Sequence, residues 1–289
     1  MRSLLFVPGD TPKKLDKGLS SGADVLLVDL EDSVALSGKA VARETARAFI
    51  TAAKSEASRP LLYVRVNAFD TGLIDDHHDA VMQAEPDANK LPKSTSCGDV
   101  LHIADTLAVR EAENALSDGA TRIVAIATET ARSLFHMGTY AGASHRLTGL
   151  TWGAEDLAAD VGAETNRLTD GSYADPYRLA RTLALFAAHA GELAAIDTVY
   201  TDFRNEAGLV AEAEAARRDG FSAKMAIHPA QVPVINAVFT PSPEAIAHAR
   251  RIVDAFAANP DAGVIGIDGK MVDRPHLRQA NRVLGAAKR

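Results

Sequence analysis

Short apolar runs alternate with longer amphipathic segments along most of the chain, and this alternation predicts the elements of the fold. Eight apolar runs are typical of buried strands. They cover residues 3–8, 25–30, 61–67, 88–92, 122–128, 147–152, 195–200 and 223–227. Helices are predicted from residue 12 and over residues 39–54, 73–84, 99–116, 176–190 and 206–218. Eight strand–helix repeats favour a (β/α)8 TIM barrel of the α/β class, because a doubly wound open sheet needs fewer strands.

The residues after the eighth strand exceed what a barrel needs. The pattern predicts a helix over residues 243–258, a glycine-broken hairpin over 262–271 with Asp268 and Gly269 at its turn, and a helix over 275–287. We therefore predict a barrel catalytic domain over residues 1–240. Residues 241–289 are predicted to form a C-terminal helical and flap extension, which serves as a lid or as a subunit-contact arm.

Composition narrows the class of protein. The chain has 289 residues, of which 47% are apolar and 24% charged, as in ordinary globular enzymes. No apolar run approaches the roughly 18 residues that span a bilayer, and the N-terminus lacks a secretory apolar region, so we predict a cytoplasmic protein with no membrane partner. The net charge of -7 argues against nonspecific nucleic-acid binding. The single Cys97 cannot form an internal disulfide.

Carboxylates follow two successive predicted strands. Glu129 comes directly after the fifth strand, and Asp156 comes shortly after the sixth. Parallel α/β folds place their chemistry at the carboxyl ends of strands, so both side chains are predicted to reach one rim. Two such carboxylates are typical of a divalent-cation site that keeps water positions, as Mg²⁺ sites do. Each acid alone has an alternative role as a cap of the following helix.

More charged residues stand at the ends of the second and third strands. The second strand runs into Glu31 and Asp32, and the third carries Arg65 near its end. Arg65 is either a buried ion-pair partner for these acids or a bidentate clamp for a substrate carboxylate. We favour the clamp.

Ten short motifs, in order along nearly the whole chain, resemble the citrate lyase beta-subunit-like family. This family includes the citryl-CoA, malyl-CoA and citramalyl-CoA lyases of the HpcH/HpaI aldolase superfamily. The motifs are RSLLFVPG at 2–9, LDKG at 15–18, DLEDSV at 29–34, RVN at 65–67, LPK at 91–93, ETA at 129–131, GAEDLAADVG at 153–162, AID at 195–197, IHPAQ at 227–231 and GKMVDRP at 269–275. A motif such as RVN or ETA is uninformative alone, but ten in order are highly specific.

The resemblance implies a barrel that holds Mg²⁺ and cleaves or forms a carbon–carbon bond beside a CoA thioester. It implies that Glu129 and Asp156 are the metal ligands and that Arg65 contacts the substrate's oxygens. Glu31 and Asp32 match acids that stand behind the waters of the metal.

The resemblance also assigns a role to the C-terminal segment. Asp273 matches an aspartate that members with lyase activity bring across a subunit interface as an acid–base group. Its alternative role is the N-cap of the helix that opens at Arg274. The family relation implies a homo-oligomer, a trimer or a dimer of trimers, in which the tail covers a neighbour's barrel. The alternative is a lid over the chain's own barrel.

An anionic CoA thioester requires a local basic cluster on this acidic protein. The candidates are Arg2, Lys14, Lys17 and Lys39, each of which has solvated surface as its alternative. We expect Trp152 to be a packing residue and His228 to be a turn residue.

The expected function is a Mg²⁺-dependent lyase that cleaves a 3-hydroxyacyl-CoA thioester through an enolate, releasing a 2-oxo acid and an acyl-CoA. Three alternatives stay open. They are a lyase subunit of a citrate lyase complex that uses a carrier-protein thioester, a malyl-CoA thioesterase, and a non-catalytic regulatory barrel.

Overall fold

The computed structural model describes residues 1–287, within which eight strands form a closed parallel barrel. Each strand pairs with the next, and β1 also pairs with β8 to close the ring. The strands are β1 (Ser3–Pro8), β2 (Val25–Asp29), β3 (Leu61–Arg65), β4 (Ala88–Leu91), β5 (Arg122–Ile126), β6 (Leu147–Thr151), β7 (Ala194–Asp197) and β8 (Ala223–Ala226). The predicted (β/α)8 barrel is confirmed.

Helices follow the strands around the barrel. They are α1 (Pro12–Leu19), α2 (Lys39–Lys54), α3 (Ile74–Val81), α4 (Cys97–Glu113), α5 (Ala131–Leu134), α6 (Glu155–Asp160), α7 (Asp175–Ala190), α8 (Glu206–Asp219) and α9 (Gln231–Phe239). The bounds of α2 agree with the prediction, and most strands end one to three residues earlier than predicted. The residues that leave the sheet early form the loops that carry the charged side chains described below.

Helix α9 was not predicted. Its sequence is short and apolar and contains Pro233, which argues against a helix interior. Pro233 lies in the first turn, however, where its missing N–H would have no partner within the helix. The Gln231 side chain anchors the start of α9, since its Oε1 accepts from the backbone N of Ile227 at 2.8 Å.

The barrel interior is apolar over most of its depth. Its buried cluster is Leu4, Val25, Leu27, Tyr63, Ala88, Val124, Ile196, Ala223 and Met225. These side chains come from alternate positions along the strands, because successive strand residues point to opposite faces. The stability of the barrel therefore comes largely from a region below the charged rim.

A second compact unit begins at Ala237, shortly before the predicted boundary at residue 240. It contains α10 (Pro243–Ala258), an antiparallel hairpin of β9 (Val264–Ile267) and β10 (Lys270–Asp273), and α11 (Arg274–Ala287). Asp268 and Gly269 have φ of 51° and 74°, as a two-residue hairpin turn of type I′ requires. The predicted hairpin and its turn are confirmed.

This second unit has its own small core. Ala249, Ile252 and Phe256 of α10 pack with Val272 and Ala280. On the hairpin, Val264 and Met271 remain 57% and 64% exposed. Within residues 1–287, no helix has both the length and the apolar character needed to cross a membrane.

Replacing Leu27 by alanine should lower the free energy of unfolding by about 2–5 kcal/mol, because the buried side chain leaves a cavity in a closed barrel. Leu27 is fully buried in the interior cluster. Equilibrium urea denaturation measures the effect. The matched control is Val109→Ala on α4, where the side chain is 54% exposed and a change below about 0.5 kcal/mol is expected. Equal losses in both variants would contradict this assignment of the core.

Candidate functional site

Charged side chains gather at the carboxyl ends of neighbouring strands, from β2 to β6. The loops that follow these strands supply acids and cations to one rim of the barrel. The residues concerned are Asp29, Glu31, Asp32, Arg65, Lys93, Glu129 and Asp156. This rim is where parallel barrels place their chemistry.

Arg65 is an ion-pair partner of the acids from β2 and its loop. Its Nε donates to Oδ1 of Asp29 and its Nη2 donates to Oδ2 of the same residue, both at 2.7 Å. Its Nη1 lies 2.8 Å from Oε2 of Glu31 and 3.2 Å from Oδ2 of Asp32. Burial opposes its charge, but Asp29 more than compensates and raises the pKa of Arg65. The guanidinium fork is therefore occupied by Asp29, as the ion-pair alternative predicted, and contact of Nη1 with a substrate stays a prediction.

Glu31 is a buried acid that lacks a full complement of partners. Nη1 of Arg65 donates to Asp32, whereas its 2.8 Å contact with Oε2 of Glu31 is an ion pair without hydrogen-bond geometry, and Oε2 has no hydrogen-bond partner among the described residues. Burial raises the pKa of Glu31 to about 8; Arg65 opposes the shift, and the neighbouring acids Asp32 and Glu129 reinforce it. The short distance to Arg65 does not offset burial, because the guanidinium is already shared with Asp29.

Glu129 is buried, and its side chain is held by the backbone of the segment that follows β4. Its Oε2 accepts a hydrogen bond of 2.5 Å from the backbone N of Lys93. Burial raises the pKa of Glu129 to about 7, and the nearby Asp156 adds to the shift. A Cβ on Gly153 would lie 3.0 Å from Cγ of Glu129, so the close approach of these loops favours glycine at 153. The capping alternative does not describe Glu129, because the Thr130 side chain caps α5.

Asp156 lies in the first turn of α6, just after the loop that follows β6. This loop is next to the loop that carries Glu129. Its Oδ1 lies 3.6 Å from Nζ of Lys93, and its side chain is 34% exposed. The two loops are tied to each other, since Gly153 N donates to Oγ1 of Thr128 and Ala131 N donates to Oδ2 of Asp160. Glu129 and Asp156 are thus brought to the same place, as neighbouring strands predicted.

Lys93 is a site residue that the sequence analysis did not select, although it named the LPK motif. Its backbone contacts Glu129 and its ammonium contacts Asp156. Partial burial lowers its pKa, but Asp156 and the other acids outweigh this and raise the pKa of Lys93. A lysine at a strand end among acids was the available signal.

A buried lysine, Lys90, lies on β4 in register with Arg65. Its Nζ is 3.1 Å from Sδ of Met225, and both Lys90 and Arg65 stand over the Phe6 ring. Burial lowers the pKa of Lys90 to about 7, and the charge of Arg65 contributes. The floor of the site therefore carries a lysine that can gain or lose its proton near neutral pH, beneath an acidic rim.

The acids suit an open cation site rather than a closed one. Among residues 1–287, no group of three or more His, Cys, Asp or Glu side chains is arranged to enclose a metal. Glu129 and Asp156 could supply two hard oxygen ligands, and Oε2 of Glu31, which pairs with Arg65 but has no hydrogen-bond partner among the described residues, lies in the same acidic group. Such a donor set fits a divalent cation that keeps several waters, as Mg²⁺ does.

Two of the proposed CoA contacts already have partners within the protein, and their role in binding CoA stays a prediction. Lys39 is buried, and its Nζ donates to the backbone oxygens of Leu30 and Glu31 at 2.6 and 2.7 Å. Arg2 precedes β1, at the amino ends of the strands and hence at the opposite rim, where it pairs with Asp24 at 2.7 Å. Lys14 and Lys17 are exposed on α1, and their role stays a prediction.

Asp273 ends β10 in the second unit. Its Oδ1 accepts from the backbone N of His276 at 3.5 Å and lies 2.5 Å from Nδ1 of the same residue. The hydrogen bond from His276 lowers the pKa of Asp273. The carboxylate therefore stands at the start of α11, where the capping alternative placed it, and an acid–base role stays a prediction.

Trp152 and His228 have the structural roles that were expected of them. The buried Trp152 donates from Nε1 to Oδ1 of Asp197 at 2.8 Å. His228 accepts from Ala230 N at 3.2 Å in a turn, and its ring stacks on Phe203.

Glu31→Gln should flatten the pH dependence of stability in metal-free buffer. The folded protein holds the Glu31 proton up to about pH 8, whereas an ordinary glutamate releases it near 4.5. This contribution to stability is present below about pH 4.5 and is lost as pH rises through 8. Between about pH 6 and 9 the wild type should lose on the order of 1–3 kcal/mol more than the variant in urea denaturation. The exposed Glu56→Gln serves as control; parallel curves for Glu31→Gln and the wild type would contradict the assignment.

Comparison with known proteins identifies the family. The HpcH/HpaI aldolase/citrate lyase family model matches residues 2–229. The citrate lyase subunit beta of Escherichia coli K12 is 36% identical over 289 residues, which cover 99% of this chain and 93% of that protein. The (3S)-malyl-CoA thioesterase of Cereibacter sphaeroides KD131 is 35% identical over 292 residues, with coverage of 99% and 94%.

A solved structure supports the same relation at the level of the fold. The protein CitE from Mycobacterium tuberculosis, in complex with magnesium, acetoacetate and coenzyme A, has a TM-score of 0.78 and is 32% identical. The match covers 100% of this chain and 98% of that one. Both the motifs and the closed barrel thus lead to one conclusion: the chain belongs to the HpcH/HpaI aldolase/citrate lyase family and is a lyase.

Proposed function

We propose that this lyase uses Mg²⁺ to cleave or form a carbon–carbon bond in a 3-hydroxyacyl-CoA thioester of the malyl-CoA, citramalyl-CoA or citryl-CoA type. The observation that carries the proposal is the pairing of Glu129 and Asp156 on neighbouring loops beside the buried Arg65. The magnesium and coenzyme A bound by the M. tuberculosis relative support it.

Glu129 and Asp156 are the residues that would hold the metal. When bound, Mg²⁺ supplies Lewis-acid stabilisation for the oxygens of a 2-oxo acid. The chain's own residues prepare this place, since Glu129 is fixed by the Lys93 backbone and Glu31 and Asp32 stand nearby to accept hydrogen bonds from bound water.

The proposed cleavage has a simple balance of charge and protons. The 3-hydroxyl group loses its proton, the bond between C2 and C3 breaks, and a 2-oxo acid departs. The electron pair of that bond remains on the thioester as an enolate, which must then gain a proton at C2. Nη1 of Arg65 places positive charge at the rim of the site, and the buried Lys90 adds positive charge at its floor when protonated, where the developing anions require it.

We assign proton transfer at C2 to Asp273, acting across a subunit interface in a trimer or a dimer of trimers. The exposed apolar side chains of Val264 and Met271 on the hairpin support a covered position for this segment. If the second unit acts as a lid, its movement would let the carboxylate arrive after the substrate binds. Action in the cytoplasm stays a prediction from the sequence.

Two relatives favour alternative functions for this protein. The 35% identical malyl-CoA thioesterase favours hydrolysis of the thioester as a second candidate. The 36% identical citrate lyase subunit beta favours action on a carrier-protein thioester within a complex. Both would use the same metal site, so the products and the need for a partner distinguish them.

The deciding experiment supplies purified protein with Mg²⁺ and, separately, malyl-CoA, citramalyl-CoA and citryl-CoA. We expect release of a 2-oxo acid from at least one substrate without any partner, with no matching release of free thiol. Thiol release in proportion to turnover would identify a thioesterase. Activity only after addition of a carrier-protein thioester would identify a complex subunit, and inactivity on every substrate would refute the proposal.

Glu129→Gln and Asp156→Asn should each weaken Mg²⁺ binding by at least about tenfold in isothermal titration calorimetry, because each removes one anionic ligand. Turnover should fall with the affinity, while circular dichroism should show an unchanged fold. The control is Glu164→Gln, an exposed acid on the following loop. Unchanged affinity in both ligand variants would disprove the metal assignment.

Mixing Asp273→Ala subunits with Glu129→Gln subunits should restore activity if the site is shared between chains. Each variant is expected to be inactive alone, but a mixed interface joins an intact metal site to an intact Asp273. Native mass spectrometry confirms subunit exchange. If exchange occurs and activity does not return, Asp273 acts within its own chain or has the capping role alone.

A further inference from the structure

We propose that Lys93 is a counter-cation of Asp156 that a bound divalent cation displaces, so that metal binding releases the lysine ammonium from the carboxylate. The inference rests on the proposed metal role of Glu129 and Asp156. It adds a residue that sets the metal affinity of the site without being a metal ligand.

The contacts of Lys93 place it between the two carboxylates. Its backbone N donates to Oε2 of Glu129 at 2.5 Å, and its Nζ lies 3.6 Å from Oδ1 of Asp156. A cation held by both acids would come within a few ångströms of this ammonium. Two positive charges beside one carboxylate repel each other, and solvent reduces this repulsion without removing it. The ammonium and the metal therefore compete for Asp156.

The backbone of Lys93 gives an independent reason to regard it as a site residue. Its φ is +50°, in the left-handed region that disfavours a residue with a Cβ. Glu85, Ala115 and Glu192 share this conformation at or just beyond helix ends, and Asp268 shares it in the hairpin turn. Lys93 instead follows β4 and Pro92. Strain of this kind is retained at functional sites, and here it directs the backbone N at Glu129.

The side chain is free to move, whereas the backbone contact is not. Lys93 is 39% exposed and Asp156 is 34% exposed, so their ion pair is solvated and weak. Displacement requires only rotation of a long side chain into water. The buried Lys39 and Lys90 differ in this respect, since each is enclosed by fixed partners. Lys93 is thus suited to leave Asp156 while the loops stay in place.

Titration of Mg²⁺ into wild type, Lys93→Asn and Lys93→Arg tests the inference. Asparagine tolerates positive φ and keeps the backbone N, so Lys93→Asn removes the ammonium with little change to the loop. We expect it to bind Mg²⁺ about two- to fivefold more tightly than the wild type, because the metal no longer has to displace a solvated ion pair. Lys93→Arg keeps the charge and should bind as the wild type does. The exposed Lys13→Asn makes the same change in net charge and should shift affinity by less than about twofold.

A second measurement follows the lysine itself. Acetylation of Lys93 in the wild type, quantified by mass spectrometry, should become several-fold faster when Mg²⁺ is added. In Asp156→Asn the rate should be high with or without the metal. Unchanged or slower acetylation on metal binding would overturn the displacement.

The outcomes separate this inference from the proposed function. Weaker or unchanged Mg²⁺ binding in Lys93→Asn, with normal binding in the wild type, overturns the role of Lys93 and leaves the metal site standing. A wild type that does not bind Mg²⁺ refutes the metal site and this inference together. Tighter binding in both Lys93→Asn and Lys13→Asn would also overturn it, by showing a general effect of net charge.

Discussion

The buried pair between Arg65 and Asp29 is the contact on which the acidic rim depends. The two residues are register partners at the ends of β3 and β2, so the sheet itself brings them together. Asp29 also accepts from the backbone N of Glu31 and of Ser33, which turns the loop after β2 back over the barrel. Removing one partner would leave a buried charge uncompensated, at a cost of about 3–5 kcal/mol. The pair therefore organises a loop as well as balancing a charge.

Lys39 closes the same loop from its other end. Its ammonium donates to the carbonyls of Leu30 and Glu31 and so fixes the backbone that presents the Glu31 and Asp32 side chains. Arg65 and Lys39 together hold the acids of this loop in place, and neither has its charge fully available to a ligand. A cation whose side chain is free to move when a ligand binds must therefore come from another strand, as Lys93 does after β4.

The fold was largely predictable because most barrel strands are short apolar runs separated from the next by an amphipathic helical segment. Burial decides such elements, and burial is visible in the pattern. Helix α9 was not predicted because Pro233 argues against a helix unless it is known to lie in the first turn. The acids at the strand ends were predictable for a similar reason, since strand order places neighbouring ends side by side.

The partners of the charged residues were less predictable. Whether Arg65 clamps a substrate or pairs with acids of the protein depends on the register of β2 and β3. The pattern of apolar residues does not determine that register. Lys39 was predicted as a CoA contact, with solvated surface as its alternative; its burial was not predicted, because its carbonyl partners come together only after the loop from Glu31 has closed. The position of Arg2 was deducible, since a residue that precedes a strand lies at the amino rim. The contact of the Lys93 backbone with Glu129 depends on the positive φ of Lys93. This φ could not be predicted, because a lysine does not favour it.

The electrostatic state of the site follows from this geometry. Glu31 and Glu129 are buried beside other acids, and both have raised pKa values because no protein cation neutralises them fully. A fold optimised for stability alone would pair or remove them. Retaining them costs stability as the pH rises, yet it leaves carboxylate oxygens that an incoming cation can satisfy better than a proton does. Under the proposed function, a divalent cation held by Glu129 and Asp156 would relieve part of this repulsion.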